Sequence, residues 1–288
     1  CALSVGSDTG GSVRQPAALC GVFGFKATAG VWPLDGVFPL SPTFDSIGMF
    51  AHSAEDAAIA FAALTGTDVP GVRPPQGVRL GRPANHYFEG LSAEVGASVA
   101  AALDALDSAG VEIVSMEVPE AAETNDVLVP MMPVELLAHL GTQRVAAGQS
   151  LLDPIVWSRL HAAFEASAVD YVRRRNRQQV LRQIAVDRMQ GLDGWITPTT
   201  FDTAVPVDEY RTVEKAVAWT HQSTRNTRPG NLFGQCGISI PIPTVGGKLP
   251  TAIQIMCKPG HDAELLSVSR RIEQWLPRPD RPDLKQFL

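Results

Sequence analysis

The sequence predicts an α/β fold built on a mixed β-sheet. Residues 78–114 have the pattern of a strand, a helix and a second strand, a unit that normally forms a right-handed crossover between parallel strands. Two extended segments, 238–241 and 251–256, flank Gly246-Gly247, which predicts an antiparallel hairpin. The chain has 288 residues, of which 45% are hydrophobic, enough to bury a large core.

The first part of the chain contains a strand, a glycine-rich stretch and a helix. Residues 2–5 have the apolar pattern of a strand end, and short extended pieces punctuated by glycine and proline fill 20–50. Ser53 is placed as the N-cap of a helix, Asp56 as the acidic member of its capping box, and Gly66 follows the predicted end.

The strand–helix–strand unit comes next. Its predicted strands are 78–80 and 111–114, with Ser92 as the N-cap of the helix and Gly110 as its stop. Apolar residues recur on one face of that helix, at Val95, Val99, Leu103 and Leu106. This unit is expected to supply scaffold.

The rest of the chain is predicted to be mainly helical before it returns to the sheet. Residues 119–190 have a helical pattern that we expect to be interrupted at Pro130, Pro133 and Pro154. A strand at 195–197 and a polar helix around 212–224 lead to the hairpin. The last predicted helix starts at Asp262 and buries Leu265, Val268, Ile272 and Trp275, and an extended tail over 277–288 follows.

Composition excludes several classes of function. The net charge of −6 gives no basic stripe for nucleic acid, and no apolar run is long enough to cross a membrane. The six histidines fall in no metal-binding array, and the four cysteines have no C-x-x-C spacing. We therefore expect no cofactor, no metal, free thiols and a cytoplasmic protein.

The stretch from Gly6 to Ala17 carries the chemistry. Gly10 and Gly11 directly precede Ser12 and free the backbone to adopt conformations that other residues resist, so the Thr9–Ser12 amides can face one concavity. Such a concavity suits an oxyanion beside a nucleophilic serine, or a phosphate, although no Gly-Lys-Ser/Thr ending follows. Glycine and serine alone favour an ordinary polar turn.

A longer similarity decides between these interpretations. Residues 6–26 resemble the core of the amidase signature family. The resemblance continues through 36–40 and 44–48, then at 195–199, at 231–241, at Leu249-Pro250 and at Gln254, and it leaves 70–190 poorly matched. It implies a mostly parallel twisted sheet covered by helices on both faces.

The resemblance also implies an activity and a set of roles. Members of the family hydrolyse amides through a serine, a cis-serine and a lysine. Ser12 matches the nucleophile, Thr9, Gly10, Gly11 and Ser12 match the oxyanion hole, and Asp8 and Arg14 match a pair that braces the site. The expected reaction converts a small neutral carboxylic amide into an acid and ammonia or an amine through an acyl-enzyme.

The other two members of the triad have no counterpart in this sequence. In the family they lie upstream of the nucleophile, so we expect an N-terminal segment, on the same or a separate chain, to carry the lysine and the cis-serine. Lys26 matches a family lysine that is not catalytic, and we interpret it as structural. The 288 residues are then an incomplete single domain over 1–276, divided into a catalytic core segment at 1–66, a variable region at 67–190 and a C-terminal core segment at 191–276.

Two alternatives stay open. One is the glutaminase (A-type) subunit of a tRNA-dependent amidotransferase. Residues Arg14 to Ala18 resemble the core motif of that subfamily, although residues 29–38 do not match its next motif. The other is a noncatalytic scaffold or binding module. The expected partner is a small-molecule amide rather than nucleic acid or membrane, and a homodimer stays open.

Overall fold

The computed structural model describes residues 1–74, 77–277 and 279. Its strands are β1 (Leu3–Ser7), β2 (Phe23–Lys26), β3 (Ile47–Ala51), β4 (Arg79–Pro83), β5 (Glu112–Met116), β6 (Gly194–Pro198), β7 (Cys236–Ile242) and β8 (Thr251–Cys257). Its α-helices are α1 (Arg14–Cys20), α2 (Ala54–Thr65), α3 (Ala93–Ser108), α4 (Thr124–Leu140), α5 (Thr142–Ala147), α6 (Pro154–Leu160), α7 (Ala168–Arg188), α8 (Val213–Ser223), α9 (Arg228–Leu232) and α10 (Asp262–Trp275).

The strands form one mixed sheet in the order β1-β3-β2-β7-β8-β6-β4-β5. The mixed α/β class is confirmed, but the expectation of a mostly parallel sheet is wrong for the described residues: only the β4–β5 and β4–β6 pairings are parallel, and the other five are antiparallel. The reason is local connectivity. The connection between β7 and β8, residues 243–250, is too short for the crossover that parallel strands need, so these two strands can pair only in the antiparallel direction.

Helices cover both faces of the sheet, as expected. One face packs against α2, α3 and α10, with Phe61, Val99 and Ile272 in the same apolar cluster as the strands. The other face carries α1 and, through a second cluster, α4 and α7. In β8 the alternation of side chains sends Ile253 and Ile255 to the first face and leaves Gln254 and Met256 for the second. That second face holds the site described below.

Most predicted boundaries are confirmed by the cap geometry. Ser53 Oγ accepts from the Asp56 amide at 3.1 Å and Ser92 Oγ from the Val95 amide at 3.4 Å, so both helices begin where the sequence indicates. Gly66 ends α2 in the left-handed conformation, at φ +68°.

The predicted breaks at Pro130 and Pro133 are wrong. Helix α4 runs through both prolines, whereas Pro154 stands at the first turn of α6, where a proline is tolerated. Each proline removes one backbone hydrogen bond, and the burial of Val127, Leu128 and Met131 on the same helix offsets that loss.

Three further expectations concern the cysteines, a membrane-spanning segment and the C-terminal tail. All four cysteines are free, with Cys236 and Cys257 buried as register partners. In the described part of the chain no helix is both long enough and apolar enough to span a membrane. The predicted tail over 277–288 lies outside the described residues, apart from 277 and 279.

Candidate functional site

The glycine loop lies between β1 and α1 and spans residues 8–13. Gly11 has φ +123°, and a β-carbon added there would lie 1.9 Å from Thr227 Oγ1. Thr227 Oγ1 donates to the Gly10 carbonyl at 2.8 Å. Only glycine fits this position, because the loop both needs an unusual φ and presses directly on the segment before α9.

The Asp8 carboxylate organises the loop from inside. It is fully buried and accepts from the amides of Gly11, Val13 and Arg14 at 2.8–3.3 Å. The same carboxylate oxygens also accept from the Arg14 guanidinium at 3.1–3.2 Å and from Asn231 Nδ2 at 2.9 Å. Burial alone would raise the pKa of Asp8, but the charge and hydrogen bonds of Arg14 hold that pKa well below its usual range. Asp8 is therefore a fixed anion.

Arg14 connects the loop to distant parts of the chain. Its guanidinium is fully buried and donates to Asn231 Oδ1 at 2.6 Å and to Gln254 Oε1 at 3.2 Å. Gln254 in turn donates to Thr197 Oγ1 at 2.9 Å and to the Asn226 carbonyl at 2.7 Å. In the sequence, Asn231 and Gln254 stand out only as parts of matching segments. Their contacts emerge from the fold, because they lie more than 200 positions from Asp8.

A second anchor fixes the start of the loop. Thr9 Oγ1 donates to Asp45 Oδ1 at 2.5 Å, and Asp45 Oδ2 accepts from the amides of Leu40 and Ser41, each at 2.9 Å. Ser41 Oγ donates in turn to Glu135 Oε2 at 2.8 Å. Helix α4 is thereby connected to the glycine loop, a connection that sequence analysis missed because Glu135 lies in the poorly matched region.

Ser12 stands apart from this buried network. Its side chain is exposed, and no group in the described ranges forms a hydrogen bond with Ser12 Oγ. The amides of Thr9, Gly10 and Ser12 likewise have no acceptor among the described residues, whereas the Gly11 amide is already bound to Asp8. Three of the four amides expected to face an oxyanion are thus free, and the fourth holds the loop together.

Lys26 occupies a structural position. Its ammonium is buried in β2 and donates to the Gln235 carbonyl at 2.5 Å and to the Ala27 carbonyl at 3.1 Å. Burial, and then the charge of Arg14, lower the pKa of Lys26 to about 8. Among the described residues there is also no group of three or more His, Cys, Asp or Glu side chains that could hold a metal ion.

The fold and the site together define a class: a mixed-sheet α/β protein that presents a serine from a glycine loop braced by a buried ion pair. The family model described as Amidase matches residues 1–266. The chain belongs to this amidase family.

Individual relatives agree with the family match. The chain is 34% identical over 278 residues to 2-amino-5-chloromuconic acid deaminase of Comamonas testosteroni, covering 94% of this chain and 60% of the relative. It is 30% identical over 289 residues to indoleacetamide hydrolase of Allorhizobium ampelinum, covering 94% and 63%. A crystal structure of an amidase superposes with a TM-score of 0.85 at 25% identity, covering 96% of this chain and 63% of that one. The chain thus spans about three fifths of the length of these relatives.

Proposed function

We propose that Ser12 is the nucleophile of an enzyme that hydrolyses a small carboxylic amide. The observation that carries the proposal is the contrast within one loop: the Ser12 hydroxyl is exposed and without a described partner, whereas the groups on both sides of it are buried and bonded. The names of the relatives, a deaminase and an amide hydrolase, support this class of reaction.

The proposed reaction proceeds through an acyl-enzyme. Ser12 Oγ attacks the amide carbonyl carbon and loses its proton, and the resulting oxyanion accepts hydrogen bonds from the free amides of Thr9, Gly10 and Ser12. Collapse of this intermediate breaks the C–N bond, and the leaving nitrogen takes up a proton and departs as ammonia or an amine. Water then attacks the ester and releases the acid.

Asp8 and Arg14 are proposed as positioning residues. Asp8 binds the Gly11, Val13 and Arg14 amides and so fixes the backbone on both sides of Ser12. Because an oxyanion hole works only when its donors are already in place, rigidity here serves the reaction directly. Neither side chain needs to touch the substrate for this role.

The proton on Ser12 requires a base, and we propose that a lysine and a bridging serine outside these 288 residues supply it. Lys26 is the one lysine that matches a family position, and its ammonium is occupied by two carbonyl oxygens. The proposal agrees with the share of each relative that the chain spans, 60% and 63%.

The experiment compares Ser12→Ala with Ser4→Ala in the complete protein, assayed on a panel of primary amides and with a serine-reactive phosphonate. Ser4 is an exposed serine on β1, which makes it a matched control. We expect Ser12→Ala to lower kcat by at least about 10⁴-fold and to abolish capture, and Ser4→Ala to change neither.

The outcomes separate the alternatives. Capture that persists in Ser12→Ala would refute the assignment of Ser12. Ammonia release from glutamine that depends on added partner subunits would favour the amidotransferase glutaminase. A wild-type protein that neither turns over any amide nor reacts with the phosphonate would favour the noncatalytic scaffold.

A further inference from the structure

A second buried arginine lies against the glycine loop, at Gly10. Arg228, at the start of α9, is only 6% exposed. The position that a β-carbon on Gly10 would occupy lies 3.4 Å from Arg228 Cγ and 3.9 Å from Arg228 Nε. The Arg228 side chain therefore packs against the loop two residues before Ser12.

Arg228 has no acidic partner in the described part of the chain. Its guanidinium contacts His221 Nδ1 at 3.2 Å, and none of the described carboxylates forms a hydrogen bond or ion pair with it. Because arginine can only donate, His221 Nδ1 must be the acceptor, which puts the ring proton on Nε2 and makes the imidazole neutral.

A third basic group strengthens the positive field. Arg159, on α6, lies close enough for its charge to act on both Arg228 and His221, since α6 packs beside α8, which carries His221. Burial, and then the charge of Arg159, lower the pKa of Arg228 to about 10. Burial and the two arginines also lower the pKa of His221. Within the described ranges, no carboxylate offsets these charges.

An uncompensated buried cation in a protein with net charge −6 calls for an explanation. Buried arginines are almost always paired, because an isolated charge loses its hydration without recovering it from a partner. The planar guanidinium fits the two oxygens of a carboxylate, and a neutral histidine beside it offers one more donor.

We propose that Arg228, with His221 and Arg159, binds a carboxylate group of the substrate next to Ser12. This inference rests on the proposed amide hydrolysis and narrows its substrate class: the substrate is an amide that carries a carboxylate, in place of the neutral amide expected from the sequence. A carboxylate side chain from polypeptide outside these 288 residues would have the same chemistry, so the test must distinguish the two sources.

The test uses two matched pairs of amides and the complete protein. Succinamate is compared with butyramide, and 4-carbamoylbenzoate with 4-methylbenzamide, so that each pair differs by a carboxylate in place of a methyl group. We expect wild type to favour at least one acidic amide over its neutral match by at least about thirtyfold in kcat/KM. In Arg228→Met this ratio should fall to near one, chiefly through lost turnover of the acidic amide.

Two further variants keep the test decisive. Arg211→Met removes a positive charge from an exposed arginine, and we expect the ratio to stay at its wild-type value. If Arg228→Met fails to fold, Arg159→Met replaces it, because Arg159 is exposed, and we expect a smaller fall in the same ratio.

The inference is overturned if wild type turns over neither acidic amide or does not prefer it. It is also overturned if Arg228→Met lowers both members of a pair equally, which would indicate a protein carboxylate as the partner. In each case, Ser12-dependent turnover of the neutral amides would leave the proposed amide hydrolysis intact. If wild type turned over no amide and did not react with the phosphonate, both the proposed hydrolysis and the carboxylate-binding inference would be refuted.

Discussion

Two buried arginines lie beside the glycine loop and differ in their partners: Arg14 belongs to the network around Asp8, which we call the inner side, and Arg228 packs at Gly10, which we call the outer side. On the inner side, Arg14 is bonded to Asp8, Asn231 and Gln254. On the outer side, the neutral ring of His221 is the one hydrogen-bond partner that Arg228 has among the described residues. Burial alone therefore says little about the role of a charged residue, because it is the set of partners that separates a brace from a binding group.

The difference also explains why one loop can be rigid and reactive at once. On the inner side, Asp8 and Arg14 are held by several buried hydrogen bonds, and these restrict the backbone around Ser12. The outer side leaves the Ser12 hydroxyl and three amides unbonded among the described residues. Breaking the inner side should cost stability, and breaking the outer side should cost activity.

The largest loss of stability is expected from Asp8→Ala. This variant leaves the Arg14 charge buried without its anion, and removal of one partner of a buried pair costs about 3–5 kcal/mol in the free energy of unfolding. Urea denaturation of the complete protein measures the change. The matched control is Asp208→Ala, which removes the anion of an exposed pair with Arg211, whose two side chains are each 75% exposed. There we expect a loss of about 0–1 kcal/mol.

Equal losses of stability in Asp8→Ala and Asp208→Ala would contradict the stabilising role of the buried Asp8–Arg14 pair.

The pH dependence of stability gives an independent check. The folded-state pKa of Asp8 lies below its unfolded value, so its stabilising effect is fully present above the unfolded pKa of about 3.9 and is lost as the pH falls through the folded value. The stability difference between wild type and Asp8→Asn should therefore shrink from about pH 5 towards pH 2, and a constant difference would contradict the assignment.

The next largest effect is expected from Gly11→Ala, which disrupts the contact between the loop and Thr227. Both the left-handed φ and the collision with Thr227 Oγ1 oppose a β-carbon, so we expect a loss of about 2–4 kcal/mol by urea denaturation, together with reduced turnover. Gly36→Ala is the matched control. Gly36 has φ +78° but no heavy atom within 4 Å of the added carbon, so it isolates the cost of φ at about 1–2 kcal/mol. Equal losses would show that the Thr227 contact contributes nothing.

The sequence predicted the glycine-rich loop and the caps of α2 and α3 because both depend on residues close together in the chain. Ser53 with Asp56, and Gly10 and Gly11 before Ser12, are local patterns. The balance of strand directions was missed, since strand pairing depends on contacts between distant segments.

The unpaired state of Arg228 was equally beyond the sequence. A carboxylate could have come from any of the 30 acidic residues, and only the fold shows that the described ones lie elsewhere. The same holds for Glu135, which a helical pattern marks as an ordinary polar position. The partners of Arg228 and of Glu135 are set by tertiary contacts, which a local sequence pattern does not show.

The smallest effect is expected from Glu135→Gln, which tests whether α4 takes part in bracing the loop. Glu135 accepts from Ser41 Oγ, from the amide and hydroxyl of Thr43 and from Tyr171 at 2.6–3.0 Å. Glutamine keeps one oxygen and can donate to the hydroxyls of Thr43 and Tyr171, so only the extra strength of charged hydrogen bonds is lost. We expect a loss of about 1 kcal/mol in the free energy of unfolding.

Its activity readout decides whether this brace reaches the reaction. Ser41 and Thr9 share the Asp45 carboxylate, so a shift of the 40–45 segment should move the Thr9 amide that is proposed to face the oxyanion. We expect a lower kcat, by about threefold, with KM nearly unchanged, because misplaced oxyanion donors weaken the transition state rather than substrate binding. Glu165→Gln, an exposed glutamate in the same helical region, should leave kcat and stability unchanged. A loss of stability in Glu135→Gln with kcat unaltered would confine Glu135 to holding the fold and would leave the bracing of the loop to its inner side alone.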